Sequence, residues 1–204
     1  DAFIKQGFDA MSCDLLPTDA PGPHYQGSVL DIIDDGWDLM VAHPPCTYLT
    51  NSGVRWLRTG GSRWGKLDEA CEFFNRLLNA DIPRICIENP IPHKYAVERI
   101  GGRKYSQIIQ PWQFGHGETK ATCLWLNGLP KLTPTDIVDG REQRMWKLPP
   151  TKDRWKIRSE TYQGIADAMA DQWGAVLRSG DYPLGPVRNG VQFVDGGLLE
   201  LLGQ

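Results

Sequence analysis

Two short, almost wholly apolar runs flank one amphipathic segment, and that pattern restricts the fold more than any other feature of the chain. Asp38-Leu-Met-Val-Ala-His43 suits a strand buried on both faces and is stopped by Pro44-Pro45. Arg84-Ile-Cys-Ile-Glu88 is a second such run, stopped by Asn89-Pro90. Between them, Leu67, Ala70, Cys71, Phe74, Leu77 and Leu78 recur at helical spacing and predict an amphipathic helix over Lys66–Asn79. Strand, helix and strand in this order predict parallel neighbours, and hence an α/β domain whose helices cover a mostly parallel sheet.

The rest of the chain extends this pattern. Asp1–Gly7 reads as the end of a helix, and Phe8–Asp14 as a strand ending on an acid. Leu15–Gln26 is rich in Pro and Gly and is expected to be a loop, followed by a short strand or turn at Ser28–Asp31. A strand is expected at Ala121–Leu126 and an amphipathic helix at Thr161–Trp173. Four parts result: an α/β core over 1–127, a basic segment over 128–159, a helix over 160–177 that completes the core, and a tail over 178–204. The tail is Gly-rich and weakly patterned, and is expected to be an appended hairpin or disordered.

The formal net charge of -3 conceals a division along the chain. Residues 1–40 carry -7, whereas Val41–Gln163 carries +7, so a polyanionic partner is permitted. Five cysteines, an odd number without a C-x-x-C pair, suit a reducing, cytoplasmic compartment. No run approaches the roughly 18 to 20 apolar residues that span a bilayer, and no signal peptide is evident. The four histidines show no ligand spacing, so no metal is expected. Nothing in the residues points to an obligate protein partner.

Ligands of open parallel sheets bind beyond the carboxyl ends of the strands. At two such ends stand His43-Pro44-Pro45-Cys46 and Glu88-Asn89-Pro90. If the two strands are neighbours, a thiol and a carboxylate face one cleft. A thiolate there can act as a nucleophile, and a carboxyl group beside it can exchange a proton with a substrate nitrogen.

These residues resemble the cytosine-5 DNA methyltransferases, which carry a Pro-Cys nucleophile after one strand and a Glu-Asn pair after the next. Ala42–Gly53 and Gln110–Pro130 resemble the small phage-encoded members of that family. The resemblance covers roughly residues 1–174. It implies a Rossmann-like fold dependent on S-adenosylmethionine, and a reaction on carbon 5 of a flipped-out cytosine in double-stranded DNA, in the cytoplasm of a bacterial or phage-infected cell. Cys46 would add to carbon 6 of the base, with Pro45 before it in the motif. Glu88 would hold the exocyclic amine and ring nitrogen 3, and Asn89 and Pro90 would shape its turn. Lys120 would contact the base or its phosphate. Asp14 would serve the cofactor ribose, Asp31 and Ile32 its adenine, and Pro44 would also border the cofactor. Ser52, Arg55, Arg141, Arg144, Lys152 and Arg154 are the candidate DNA contacts, and Lys147, Lys156 and Arg158 share their basic segment. Trp56, Trp64, Trp146 and Trp155 could stack on bases, whereas Trp112, Trp125 and Trp173 are expected in the core.

Three departures accompany the resemblance. The family's Gln-x-Arg-x-Arg motif is represented by Glu118, Lys120 and Thr122, so one charge of the pair survives. The family's first strand and glycine-rich cofactor loop have no counterpart at the start of this sequence, so the first strand is expected to be absent, and either the sequence is truncated or the cofactor site is incomplete. The tail segment Asn189–Leu202 reads strand, Gly-Gly turn, short helix, and is the one stretch that could supply that element in a permuted arrangement. Only Gly128–Ser159 is available for target recognition, which predicts short or weak sequence selectivity. A DNA-binding protein that kept the fold without the activity is the alternative. An amino-methyltransferase is disfavoured, because its motif needs Asp, Asn or Ser where His43 stands and an aromatic residue where Cys46 stands. Modification of a free cytosine nucleotide is disfavoured by the basic block.

Overall fold

The computed structural model describes residues 2–59, 61–149, 151, 154–179 and 188–194. Seven strands form one sheet: β1 (Ala10–Asp14), β2 (His24–Gln26), β3 (Trp37–Ala42), β4 (Ile85–Pro90), β5 (Gln107–Ile109), β6 (Thr122–Asn127) and β7 (Arg188–Val194). Their spatial order is β2-β1-β7-β3-β4-β6-β5. All neighbouring pairs are parallel except those of β6, which runs antiparallel to both β4 and β5. The expected mixed α/β domain with a mostly parallel sheet is therefore present, with one reversed strand.

The β3–helix–β4 reading holds in detail. After the short helices α1 (Ala2–Lys5) and α2 (Asn51–Val54), the helix α3 (Arg63–Leu78) buries Leu67, Ala70, Cys71, Phe74, Leu77 and Leu78, the same six residues that set its period. Leu39–Ala42 and Ile85–Ile87 are fully buried, as strands covered on both faces must be. Two apolar clusters lie on opposite sides of the sheet. One joins α3 to Met40, Ala42, Ile85 and Ile87. The other joins α7 (Gln163–Ser179) to Leu39, Val41, Cys86 and Leu124. Alternate residues of one strand serve different clusters because successive side chains point to opposite faces.

The first strand was expected to be missing, and the tail to be appended. Instead, β7 lies between β1 and β3 and runs parallel to both. Val191 stands opposite Ala10 on one side and Leu39 on the other, and Val194 opposite Cys13 and Ala42. Without it, β1 and β3 would be separated by two strand spacings, about 9–10 Å, with their inward backbone groups unpaired. Residues 195–204, including the expected Gly-Gly turn and helix, lie outside the described residues. Other elements also went unread in the sequence. His24–Gln26 is an edge strand inside the expected loop, and β5 closes the far edge. Asn89-Pro90, expected to stop the strand and shape a turn, instead continue β4, held by their pairing with Cys123 and Thr122 of β6, and α4 (Lys94–Arg99) follows. Ser28 begins a 3-10 turn over Val29–Asp31, capping it through Leu30 N–H at 3.2 Å. The basic 128–159 segment contains two short helices, α5 (Arg144–Lys147) and α6 (Arg154–Ser159).

From β1 the chain winds outward to β2, and from β3 it winds the other way to β4. The winding thus reverses across β7, and the carboxyl ends of β1, β7 and β3 meet at this reversal. That is the position where open α/β sheets form their binding crevice.

Candidate functional site

The segment after β3 is stitched by hydrogen bonds to the end of β4 and to the stretch that leads from it into α4. The Asn89 side-chain amide donates to the Pro44 carbonyl at 2.8 Å. His93 Nε2 donates to the Tyr48 carbonyl at 2.8 Å, while its Nδ1 accepts from Ala96 N–H at 3.1 Å and caps α4. These two bonds require the neutral ring, and burial lowers the His93 pKa in the same direction. The His93 backbone N–H bonds the Leu49 carbonyl at 2.9 Å, and Thr50 bridges Pro92. Leu49 and Thr50 N–H in turn bond the Cys46 carbonyl, which closes a turn directly after Cys46. The chain after β3 and the chain after β4 are thus tied to each other.

Cys46, in the segment after β3, and Glu88, near the end of β4, lie close enough to interact electrostatically. Burial pushes the Cys46 thiol above its ordinary pKa. Arg158 opposes that shift, the Glu88 charge adds to it, and Lys120 opposes it further. Burial would also raise Glu88, but the His43 hydrogen bond and charge, with help from Lys120, hold its carboxyl below the ordinary value. His43 Nδ1 lies 2.6 Å from Glu88 Oε2. Asn89 is 2% exposed, and its Oδ1 is buried without a protein hydrogen bond.

Lys120 precedes β6 and reaches this cluster from the side. Its ammonium group donates to the Glu160 carbonyl at 3.1 Å and lies 5.7 Å from the Tyr162 ring centre. The neighbouring Glu118 has a structural task. It accepts Arg144 Nε at 2.9 and 3.0 Å and the Tyr162 hydroxyl at 2.7 Å. Glu118 and Glu142 also form a backbone bridge, which ties the 128–159 segment to the sheet. Arg144, expected to face DNA, is thus engaged within the protein.

The remaining expected contacts are scattered. Arg141 lies over the Trp112 ring at 3.9 Å and donates to the Val138 and Gly140 carbonyls. Trp112, expected in the core, is only half-buried. Arg55 lies over Trp56 at 4.6 Å, and Trp56 is 45% exposed. Ser52 lies in α2 (Asn51–Val54). Arg154 begins α6 with its Nε buried, whereas Lys152 lies outside the described residues. Sequence reasoning missed two residues that act on the pair. His43 stood beside Pro44 in the motif and went unassigned. Arg158 was grouped with the basic segment but not tied to Cys46.

On the acidic side, Asp14 ends β1 and accepts Leu16 N–H at 2.8 Å. Asp31 is exposed and accepts the Tyr25 hydroxyl at 3.4 Å, beside the buried Ile32. A separate cleft of about 610 Å³, lined by residues including Asp34, Asp68, Glu72, Asn75 and Arg99, shares no residue with the Cys46 site. Among the described residues no three His, Cys, Asp or Glu side chains are placed to hold a metal, and no helix is long and apolar enough to cross a membrane. No family model, curated protein or solved structure matches the chain.

Proposed function

We propose that the chain is a cytosine-5 DNA methyltransferase. The observation that carries this reading is the electrostatic proximity of Cys46, Glu88 and Lys120 at the carboxyl ends of the adjacent parallel strands β3 and β4. The strand order supports it too. With β7 counted as the first strand, the parallel part of the sheet follows the order 3-2-1-4-5 of doubly wound nucleotide-binding folds. On this reading the fold is Rossmann-like and permuted, with its first strand supplied by the C-terminal segment.

The donor set at the strand reversal suits the nucleoside end of S-adenosylmethionine. Asp14 offers a carboxylate for ribose hydroxyls, while Asp31 and the buried Ile32 offer a polar and an apolar edge for adenine, with Pro44 on the far side of β7. When bound, that cofactor supplies an activated methyl group. The protein's own task is to make carbon 5 of cytosine reactive. Cys46 as thiolate adds to carbon 6, and Glu88 holds the exocyclic amine and ring nitrogen 3 as charge shifts onto the ring. Asn89 holds the Pro44 carbonyl and so fixes the turn leading to the nucleophile. A base inside a duplex cannot reach Cys46, so the reaction requires a flipped base, with exposed basic side chains of the Val41–Gln163 block meeting the phosphates.

A binding-only protein is the second reading, and one observation favours it: burial leaves the Cys46 thiol a weak nucleophile until something lowers its pKa. Covalent trapping separates the two. With S-adenosylmethionine and duplex DNA carrying 5-fluorocytosine, the enzyme reading expects an adduct that withstands denaturation and is lost in Cys46→Ala. Salt-sensitive DNA binding without any adduct would leave the binding reading alone.

A further inference from the structure

The short contact between His43 and Glu88 has no task in the reaction described so far. That reaction asks for a thiolate at Cys46 and a carboxyl group at Glu88. As Sγ bonds to carbon 6, the ring's double bonds shift and nitrogen 3 must gain a proton. Glu88 is poorly suited to supply it alone, because its carboxyl is held below the ordinary range and is ionised at neutral pH. The His43 imidazole, whose Nδ1 can carry or release a proton, stands one hydrogen bond away.

We propose that His43 and Glu88 act as one proton-carrying pair, in which His43 stores the proton at Nδ1 and Glu88 relays it to ring nitrogen 3 of the base attacked by Cys46. The inference rests on the cytosine-5 reading. In the step, the Sγ–C6 bond forms and the C5–C6 double bond becomes C4–C5. The electron pair of the former C4–N3 double bond takes up a proton from the carboxyl group, which is replenished from His43. The net transfer is one proton from His43 to nitrogen 3, and it returns when the Sγ–C6 bond breaks. His43 is thus a positioning residue that acts through Glu88.

The pair is enclosed by elements that bear on its charge. Cys46 follows β3, Cys86 lies on β4, and Lys120 and Cys123 come from the β6 side; each interacts electrostatically with Glu88. Arg158 of α6 acts on Cys46. Cys86 and Cys123 are pushed up by burial and stay protonated near neutrality.

The test is single-turnover adduct formation on 5-fluorocytosine duplex by the full chain and by His43→Asn, across about pH 5 to 8. Asparagine can still donate a hydrogen bond to Glu88 but cannot titrate. The variant is expected to be slower by about a hundredfold at neutral pH and to recover as pH falls toward the carboxyl range. Unchanged rate and pH profile would reduce His43 to a prop and overturn the proposal. If the unaltered chain forms no adduct at any pH, the cytosine-5 reading fails, and the pair is judged by carbon-13 NMR. The Glu88 carboxyl resonance, assigned with Glu88→Gln, should titrate at higher pH in His43→Asn. An unmoved midpoint would overturn the pair.

Discussion

Replacing Val191 with proline tests whether the C-terminal strand is truly the centre of the sheet. Val191 faces Ala10 of β1 and Leu39 of β3, so its backbone is enclosed on both sides. Proline removes one N–H, and a buried carbonyl left without its donor costs about 1–3 kcal/mol. The ring must also fit between two paired neighbours, a place from which proline is excluded in natural sheets. The combined cost is expected at about 3–4 kcal/mol, a large share of a total stability of about 5–15 kcal/mol. With a urea dependence of about 2 kcal/mol per molar, the unfolding midpoint should fall by about 1.5–2 M. Far-UV circular dichroism would follow the transition, and hydrogen exchange should show lost protection at Ala10–Cys13 and Leu39–Ala42. A surface appendage would respond within about 0.5 kcal/mol. A midpoint that hardly moves would therefore refute the central placement, and with it the claim that this segment completes the crevice.

Three further outcomes follow from single side chains. Trp173 is 0% exposed and donates its indole N–H to the Pro130 carbonyl at 3.0 Å, so Trp173→Ala should cost about 3–5 kcal/mol in urea unfolding. Burial and the Glu118 carboxylate push the Tyr162 hydroxyl up to about 12, so the native state binds this proton more tightly than the unfolded chain. Stability should thus fall as pH rises from about 10 toward 12, and Glu118→Ala should bring the tyrosinate absorbance of Tyr162 down toward about pH 10. On the DNA-binding reading, Arg141→Ala should lower the slope of log affinity against log salt by about one if it meets a phosphate, and leave it unchanged if its Trp112 and carbonyl contacts are its whole role.

The candidate site was legible because its residues follow elements with clear local signals. The α3 stripe and the apolar runs into His43 and Glu88 each specify their own structure, and a parallel pair joined by one helix must bring its carboxyl ends together. Cys46 and Glu88 could therefore be paired from sequence alone. The His43 contact could not, since a histidine beside a double proline fits many surroundings. Glu118 misled in a different way. Read as a lost cation, it proves to be the anchor for Arg144 and Tyr162, residues that come from beyond the sheet.

What the sequence by itself determined was the alternation of strand and helix, the two faces of the core, and the thiol and carboxylate at neighbouring strand ends, because hydrophobic periodicity and proline stops act over a few residues. Only the tertiary structure decided where Arg188–Val194 belongs. Arg188, Asn189 and Gln192 break the apolar run that a central strand ordinarily shows, so the local pattern is weak. Its place is set instead by the unpaired backbone edges of β1 and β3, which come from distant parts of the chain and are satisfied together by one strand between them.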